Sequence, residues 1–421
     1  MQPLPGFRDF LPDDCALRNA IFARWREVCR RYGFVEWDGP VLEPTELYKK
    51  KSGPEIVAQL FNFTDKGERE VALRPELTPT LARVVAAHER EFRKPLKWFS
   101  IPQCFRYEKQ QRGRLREHFQ LNCDLIGDAS PAADIEIVAL AIDLLRGFGF
   151  KADDLVVRLS DRQFWADLLR AQNVPEERWS ELLQVIDKSG REPREKTAER
   201  LGPLAGPVFE VLDGGGRSEK LEGLVSQLEP RGLAEYVKVD LSIVRGLAYY
   251  TGVVFEVFDR AGKLRAIAGG GRYDNLIAQL SEGAVSLPAV GFAMGDVVLG
   301  ELIKETPEIF ARFSEDLSRQ SALDLYLIIA KEERRLDALR QLQQLRDAGW
   351  RVDYPLTPAK VGKQFQTAEA MGARTILLYG DEWPAVKMKT LATREEELVP
   401  HEELLTRVQS LRHPNEREPS S

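Results

Sequence analysis

The sequence predicts an α+β fold: an antiparallel sheet with flanking helices, interrupted by a helical insertion and followed by a smaller α/β domain. Three observations predict it. Through residue 304 short alternating strands are interleaved irregularly with helices, the texture of an antiparallel and not a doubly wound parallel sheet. Between Asp161 and Glu235 the strand pattern gives way to charge-rich helical segments broken at Pro175, Pro193, Pro203 and Gly214-Gly-Gly. Beyond Leu323, strand and helix alternate regularly. The expected boundaries are 1–160 with 236–304 for the main domain and 161–235 for the inserted helical subdomain. A polar linker is expected at 305–320, the α/β domain at 321–412, and a disordered tail at 413–421.

Taken in order, the first helix follows Asp13 or Asp14 as a cap and carries Leu17, Ile21, Trp25 and Val28 on one stripe until Gly33 ends it. Phe34 to Trp37 reads as a short strand. Gln59 to Thr64 and Val71 to Arg74 read as strands paired around Asp65-Lys-Gly. A helix begins near Thr80. Lys97 to Ile101, Cys104 to Tyr107 and Phe119 to Ile126 alternate as strands, and Ala132 to Leu145 forms a helix. After the insertion, Tyr249 to Phe258 and Lys263 to Ala268 predict a hairpin that ends in Gly269-Gly-Gly-Arg-Tyr-Asp. Ala289 to Ala293 is a strand leading into a helix near Asp296. The last domain alternates Leu323–Ala330, Arg334–Ala348, Arg351–Tyr354, Gly362–Met371 and Thr375–Tyr379.

Composition narrows the class. Of 421 residues, 43% are hydrophobic and 30% charged, the balance of a globular protein with real cores. No apolar run approaches the roughly 20 residues that span a bilayer, and the N-terminus shows no signal segment. A cytoplasmic protein with no membrane attachment is expected. Cys15, Cys29, Cys104 and Cys123 form no C-x-x-C pair and only four histidines accompany them, so neither zinc nor disulfides are expected. Net charge is −6, which does not advertise a nucleic-acid partner. One local stretch does: Arg106, Lys109, Arg112, Arg114 and Arg116 face the single acid Glu108.

Four clusters could carry chemistry. Leu73-Arg-Pro-Glu76-Leu-Thr78 closes a strand, although Arg-Pro-Glu alone is more often a solvated turn. In the second cluster the basic loop leads into a strand on which Gln120, Asn122 and Asp124 share one face and Leu121, Cys123 and Leu125 the other. That polar row fits a lined pocket or a solvent-exposed face equally well. Ile243-Val-Arg245-Gly-Leu-Ala-Tyr249-Tyr250 sets an arginine among apolar residues, where a rim charge is the commoner reading. Gly269-Gly-Gly-Arg272 permits close approach of a backbone or ligand, or is a plain turn. No phosphate-binding P-loop, dinucleotide fingerprint, zinc-protease helix or nucleophile elbow is spelled anywhere.

In this order, the clusters resemble the histidyl-tRNA synthetases over nearly the whole chain, from Leu4-Pro-Gly-Phe-Arg-Asp onward. Arg245-Gly-Leu-Ala-Tyr-Tyr-Thr-Gly and Ala268-Gly-Gly-Gly-Arg-Tyr-Asp are similar to that family's paired histidine motifs. Phe105-Arg-Tyr-Glu is similar to the second class II synthetase motif, and Pro40 to the proline of the first. The resemblance implies a catalytic antiparallel sheet, a C-terminal anticodon-binding domain and a homodimer built around Pro40. Its implied substrates are L-histidine, tRNA(His), and ATP with Mg2+. Glu76 and Thr78 would hold the amino end of histidine, with Gln120, Asp124, Tyr249 and Tyr250 lining its pocket. Arg106, Glu108, Arg114 and the catalytic Arg245 would meet ATP, and Gln111 and Arg112 the tRNA.

Three positions depart from the commonest family pattern. Asp124 stands where glutamate is usual, Ala248 replaces an aspartate, and Val298 occupies the third-motif position where an arginine normally meets ATP. The rival reading is a non-catalytic paralogue such as the regulatory subunit of ATP phosphoribosyltransferase. Such a chain would typically lack the C-terminal domain and lose Arg245 or the Tyr249-Tyr250 pair, and all of these are present.

Overall fold

The structure, a computed structural model, describes residues 1–49, 57–109, 111–190, 192–244 and 249–411. Arg245 and Ala248 lie outside the described residues, as does the expected tail. The chain parts into two units, Met1–Phe313 and Ser314–Ser421.

The first unit's strands run β1 (Val35–Glu36), β2 (Leu42–Pro44), β3 (Phe61–Thr64), β4 (Glu70–Leu73), β5 (Leu96–Ser100) and β6 (Gln103–Phe105). They continue with β7 (Glu117–Ile126), β8 (Leu155–Asp161), β9 (Val237–Val239), β10 (Val253–Asp259), β11 (Ala268–Arg272) and β12 (Ala289–Gly295). The main sheet is ordered β1-β5-β7-β12-β11-β10-β8-β9, with β6 added to β7. Its centre, from β5 to β8, is antiparallel throughout, as the interleaved pattern predicts. A small sheet β2-β4-β3 stands apart.

Helices Pro12–Arg31 and Pro131–Arg146 cover one face. Trp25, Val28, Cys29, Ile137 and Leu140 meet Leu121, Cys123, Leu125, Phe255 and Phe292 in one buried cluster. Each large side chain so buried contributes about 1.5–3 kcal/mol. The first helix starts at Pro12, with Asp13 and Asp14 inside its first turn and no side-chain cap bond. Proline suits that first position because its missing N–H would have no helical partner, and the acids lie beside the positive end of the helix dipole.

Three expectations change on folding. The glycine run is itself the central strand β11 and not the end of the preceding one. Residues 161–235 are helical, but Trp165, Leu169, Leu182, Ile186 and Leu224 share the cluster under the sheet, so the insertion is packed into the first unit. The polar linker is a helix, Pro307–Ser321, because Ile309 and Phe313 lie four residues apart and pack as one stripe, with Phe313 6.0 Å from the Phe148 ring.

The second unit pairs β13 (Leu325–Ile329) in parallel with β14 (Val352–Asp353) and β15 (Thr375–Tyr379). An unanticipated antiparallel hairpin, β16 (Ala385–Thr390) and β17 (Glu396–Pro400), extends that sheet. Among the described residues no helix is long and apolar enough to cross a membrane.

Candidate active site

The face of the main sheet turned away from the two covering helices carries the polar row. Gln120, Asn122 and Asp124 are all buried, which rules out the exposed-face alternative. Gln120 donates through Nε2 to Asn122 Oδ1 at 3.1 Å. Asp124 lies opposite Gly291 in the register of β7 and β12, and a Cβ at Gly291 would overlap its carboxylate. Glycine is therefore required on β12 for the acid to turn inward. Asp124 Oδ1 accepts a hydrogen bond from the Tyr273 hydroxyl. Burial, then the neighbouring Asp124 charge, raise the Tyr273 phenol well above its ordinary range, so it remains a donor.

Beside that pair the tyrosines gather. The Tyr249 ring is 4.8 Å from Tyr250 and 5.9 Å, edge-on, from Tyr273. Gly271 leaves the space for this, since a Cβ there would come within 3.0 Å of Tyr250 Cδ1. Leu81, Ala82 and Val85, on the helix Thr78–Ala87, pack in the same cluster. The helical period sets Thr78, at the first position, on the face of Leu81, Ala82 and Val85, and the buried Glu76 lies two residues before it.

The basic loop is anchored from below. Arg106 Nε donates to Pro75 O at 2.9 Å, tying the second cluster to the first. Arg114 Nε meets Glu108 Oε2 at 2.5 Å, and the buried Glu108 is compensated in this way. Gln111 to Arg114 makes a tight turn with Gly113 at φ +71° and Arg114 N donating to Gln111 O at 2.9 Å. Arg112, expected to face tRNA, pairs with Glu305 and lies 3.6 Å from Glu301.

Several residues that support the site escaped the sequence reading. Arg8 joins Glu117 at 2.6 Å and Asp296 at 3.0 Å, and Asp296 accepts from Phe119 N at 2.9 Å. These bonds pin the N-terminal segment, the start of β7 and the start of the helix Asp296–Glu305 together. Buried Arg74 binds Asp38 at 2.8 Å and the carbonyls of Gly39 and Gln103. Arg272 is likewise structural, held by Asp134 at 2.9 Å and by Asp274. Arginines inside apolar motifs were a signal for such pairs, but their acids are too distant in sequence to match by eye.

His118 shares the polar face, with Nε2 3.2 Å from Gln120 Oε1. Burial first, then the cations Arg106, Arg8 and Arg114, push it down to about 3 from 6.5, against the Gln120 bond. Below 6.5 the unfolded chain takes up a proton that the fold refuses, so this residue's contribution is present above 6.5 and is lost progressively as pH falls toward 3. His118→Gln should narrow the drop in melting temperature between about pH 7.5 and about pH 5.5. An unchanged drop in calorimetry would refute the assignment.

Among the described residues no group of three or more His, Cys, Asp and Glu side chains is placed to hold a metal ion. The geometry sets a buried polar row and a tyrosine cluster on the sheet that carries the basic loop, and the comparisons with known proteins concern the same elements. A family profile described as histidyl-tRNA synthetase matches residues 6–203 and 195–296. One described as an anticodon binding domain matches 324–411. The chain is 45% identical to the histidine–tRNA ligase of Opitutus terrae, over 96% of its own length and 97% of that protein's. It is 38% identical to the chloroplastic/mitochondrial histidine–tRNA ligase of Arabidopsis thaliana, over 94% and 84%. The histidyl-tRNA synthetase of Nostoc sp. PCC 7120 shares the fold at a TM-score of 0.75 and 22% identity, covering 97% of this chain and 99% of that one. A chain matched along both of its units belongs to the histidyl-tRNA synthetase family, ligases of class II.

Proposed function

We propose that the chain activates L-histidine with ATP and transfers it to the 3′ end of tRNA(His). The observation that carries this reading is the buried polar row ending in the Asp124–Tyr273 pair, beside a loop supplying Arg106 and Arg114. Neutral imidazole has one donor and one acceptor; Asp124 takes the donor and the Tyr250 hydroxyl meets the other nitrogen. Gln120 and Tyr249 line the same recess, and Glu76 and Thr78 receive the α-amino group. An apolar side chain in that recess would leave buried polar groups unpaired, which is a strong basis for rejection.

The carboxylate of histidine is already ionised, so attack on the α-phosphorus needs alignment and charge neutralisation more than a base. Arg106 and Arg245 supply that charge, while Arg114, steadied by Glu108, meets the outer phosphates. Magnesium enters with ATP as part of the substrate. The carboxyl oxygen bonds to phosphorus as pyrophosphate leaves, and the terminal ribose hydroxyl of tRNA then attacks the acyl carbon and releases AMP. Gln111 and Arg112 approach the acceptor end, Arg112 exchanging its two glutamates for phosphate. The second unit reads the anticodon. Exposed Val35, Val41, Leu42 and Phe63 around Pro40 support a homodimer interface, and the setting is cytoplasmic.

Histidine-dependent exchange of pyrophosphate into ATP tests the reading. Exchange should require histidine, and truncation after Ser321 should preserve it while charging of tRNA(His) falls at least about tenfold. No exchange in the full chain would favour the regulatory paralogue; undiminished charging would refute the anticodon role.

A further inference from the structure

Val298 removes a cation from the helix that borders the basic loop, and the structure offers another beside it. Ala268 lies opposite Met294, and Gly295 N donates to Ile267 O, so the chain just before β11 runs alongside the start of the helix Asp296–Glu305. Arg265 stands in that approach, exposed. A Cβ on Gly113 would lie 3.3 Å from Val298 Cγ2 and 4.0 Å from Arg265 Cδ. Three segments therefore converge at the turn of the basic loop: the buried valine as floor, the aliphatic stem of Arg265 as wall, and the glycine backbone between them. The next loop residue is Arg114, already paired with Glu108.

We propose that Arg265 is an ATP-phosphate-binding residue, reaching the polyphosphate from the β11 side where the helix side presents only Val298. This rests on the synthetase reading. The aliphatic stem of Arg265 lies against the turn while the residue as a whole stays exposed, the arrangement in which a long cationic side chain meets an anion without burial of its charge. A fork of donors suits two phosphate oxygens at once. Glu301 sits at the same turn, its Oε2 3.8 Å from the Gly113 Cβ position.

The test uses the full chain and two readouts: pyrophosphate exchange, and equilibrium binding of a non-hydrolysable ATP analogue. Arg265→Ala should raise the KM for ATP and weaken analogue binding at least about tenfold, with the KM for histidine changed less than about twofold. Arg265→Lys should fall between. Unchanged ATP affinity in the alanine variant would overturn the proposal, and so would parallel losses for ATP and histidine with a lowered melting temperature, which mark a structural role. If the wild type bound the analogue through Arg265 yet exchanged nothing, the synthetase reading would fail while the nucleotide site stood.

Discussion

Arg106→Ala is expected to lower the rate of histidine-dependent pyrophosphate exchange by about 100- to 1000-fold, the loss typical of removing one preorganised donor to developing charge. The geometry explains why so much rests on one side chain. Arg106 leaves β6 immediately before the loop, and its Nε is held by Pro75 O, so its terminal nitrogens are oriented before any ligand arrives. Preorganisation matters because the crowded phosphorus is stabilised only by charge already in place. Arg106→Lys is the discriminating control: it keeps the charge but gives up the fork and the Pro75 anchor, and should recover only part of the rate. The KM for histidine should move little, since the residues proposed to meet the imidazole, Gln120 and Asp124, lie on β7 and not on the loop. A rate within about threefold of the wild type would remove Arg106 from the reaction.

Much of this arrangement was legible in the sequence, and the illegible part has physical causes. Period-two alternation placed Gln120, Asn122 and Asp124 on one face correctly because β7 is long and apolar behind. It could not say which face was buried, since burial depends on the segments that close over it. The glycine run reads as following a strand, suited to close approach of a backbone or to a plain turn, because glycine disfavours strands. In β11 that cost is offset by contacts a side chain would forbid, with the backbone of β12 and the Tyr250 ring pressed against it. Tyr273 stands out in the sequence only as part of its motif, because its partner Asp124 is 149 residues away and nothing local announces the pair. The hairpin of β16 and β17 was missed for a different reason: its lysines and glutamates pair across the strands, as Lys389 does with Glu396 at 2.7 Å, and mask the apolar alternation.

Asp124→Asn should reduce kcat/KM for histidine by about 100- to 1000-fold while leaving the KM for ATP within about twofold. In the wild type the carboxylate has only lone pairs to offer, and the Tyr273 hydroxyl holds one of its oxygens. A carboxylate that accepts from the imidazole fixes which ring nitrogen carries hydrogen, and that bond is charge-assisted. An asparagine can still accept from Tyr273, but it then turns its amide N–H toward the ring. Histidine must change tautomer, the charge-assisted bond is lost, and a ring analogue without an N–H becomes a better competitor. Discrimination should therefore narrow along with activity, a paired change that simple unfolding would not give. Tyr273→Phe separates orientation from charge: it keeps the carboxylate, removes the hydroxyl that orients it, and should raise the KM for histidine about tenfold with ATP unaffected. Asp124→Glu, the acid more usual in the family, should retain part of the activity, since it keeps the charged acceptor but must fit a longer stem where the Asp124 carboxylate already fills the space over Gly291. An Asp124→Asn enzyme that kept wild-type preference for histidine over such analogues would place imidazole recognition on another residue.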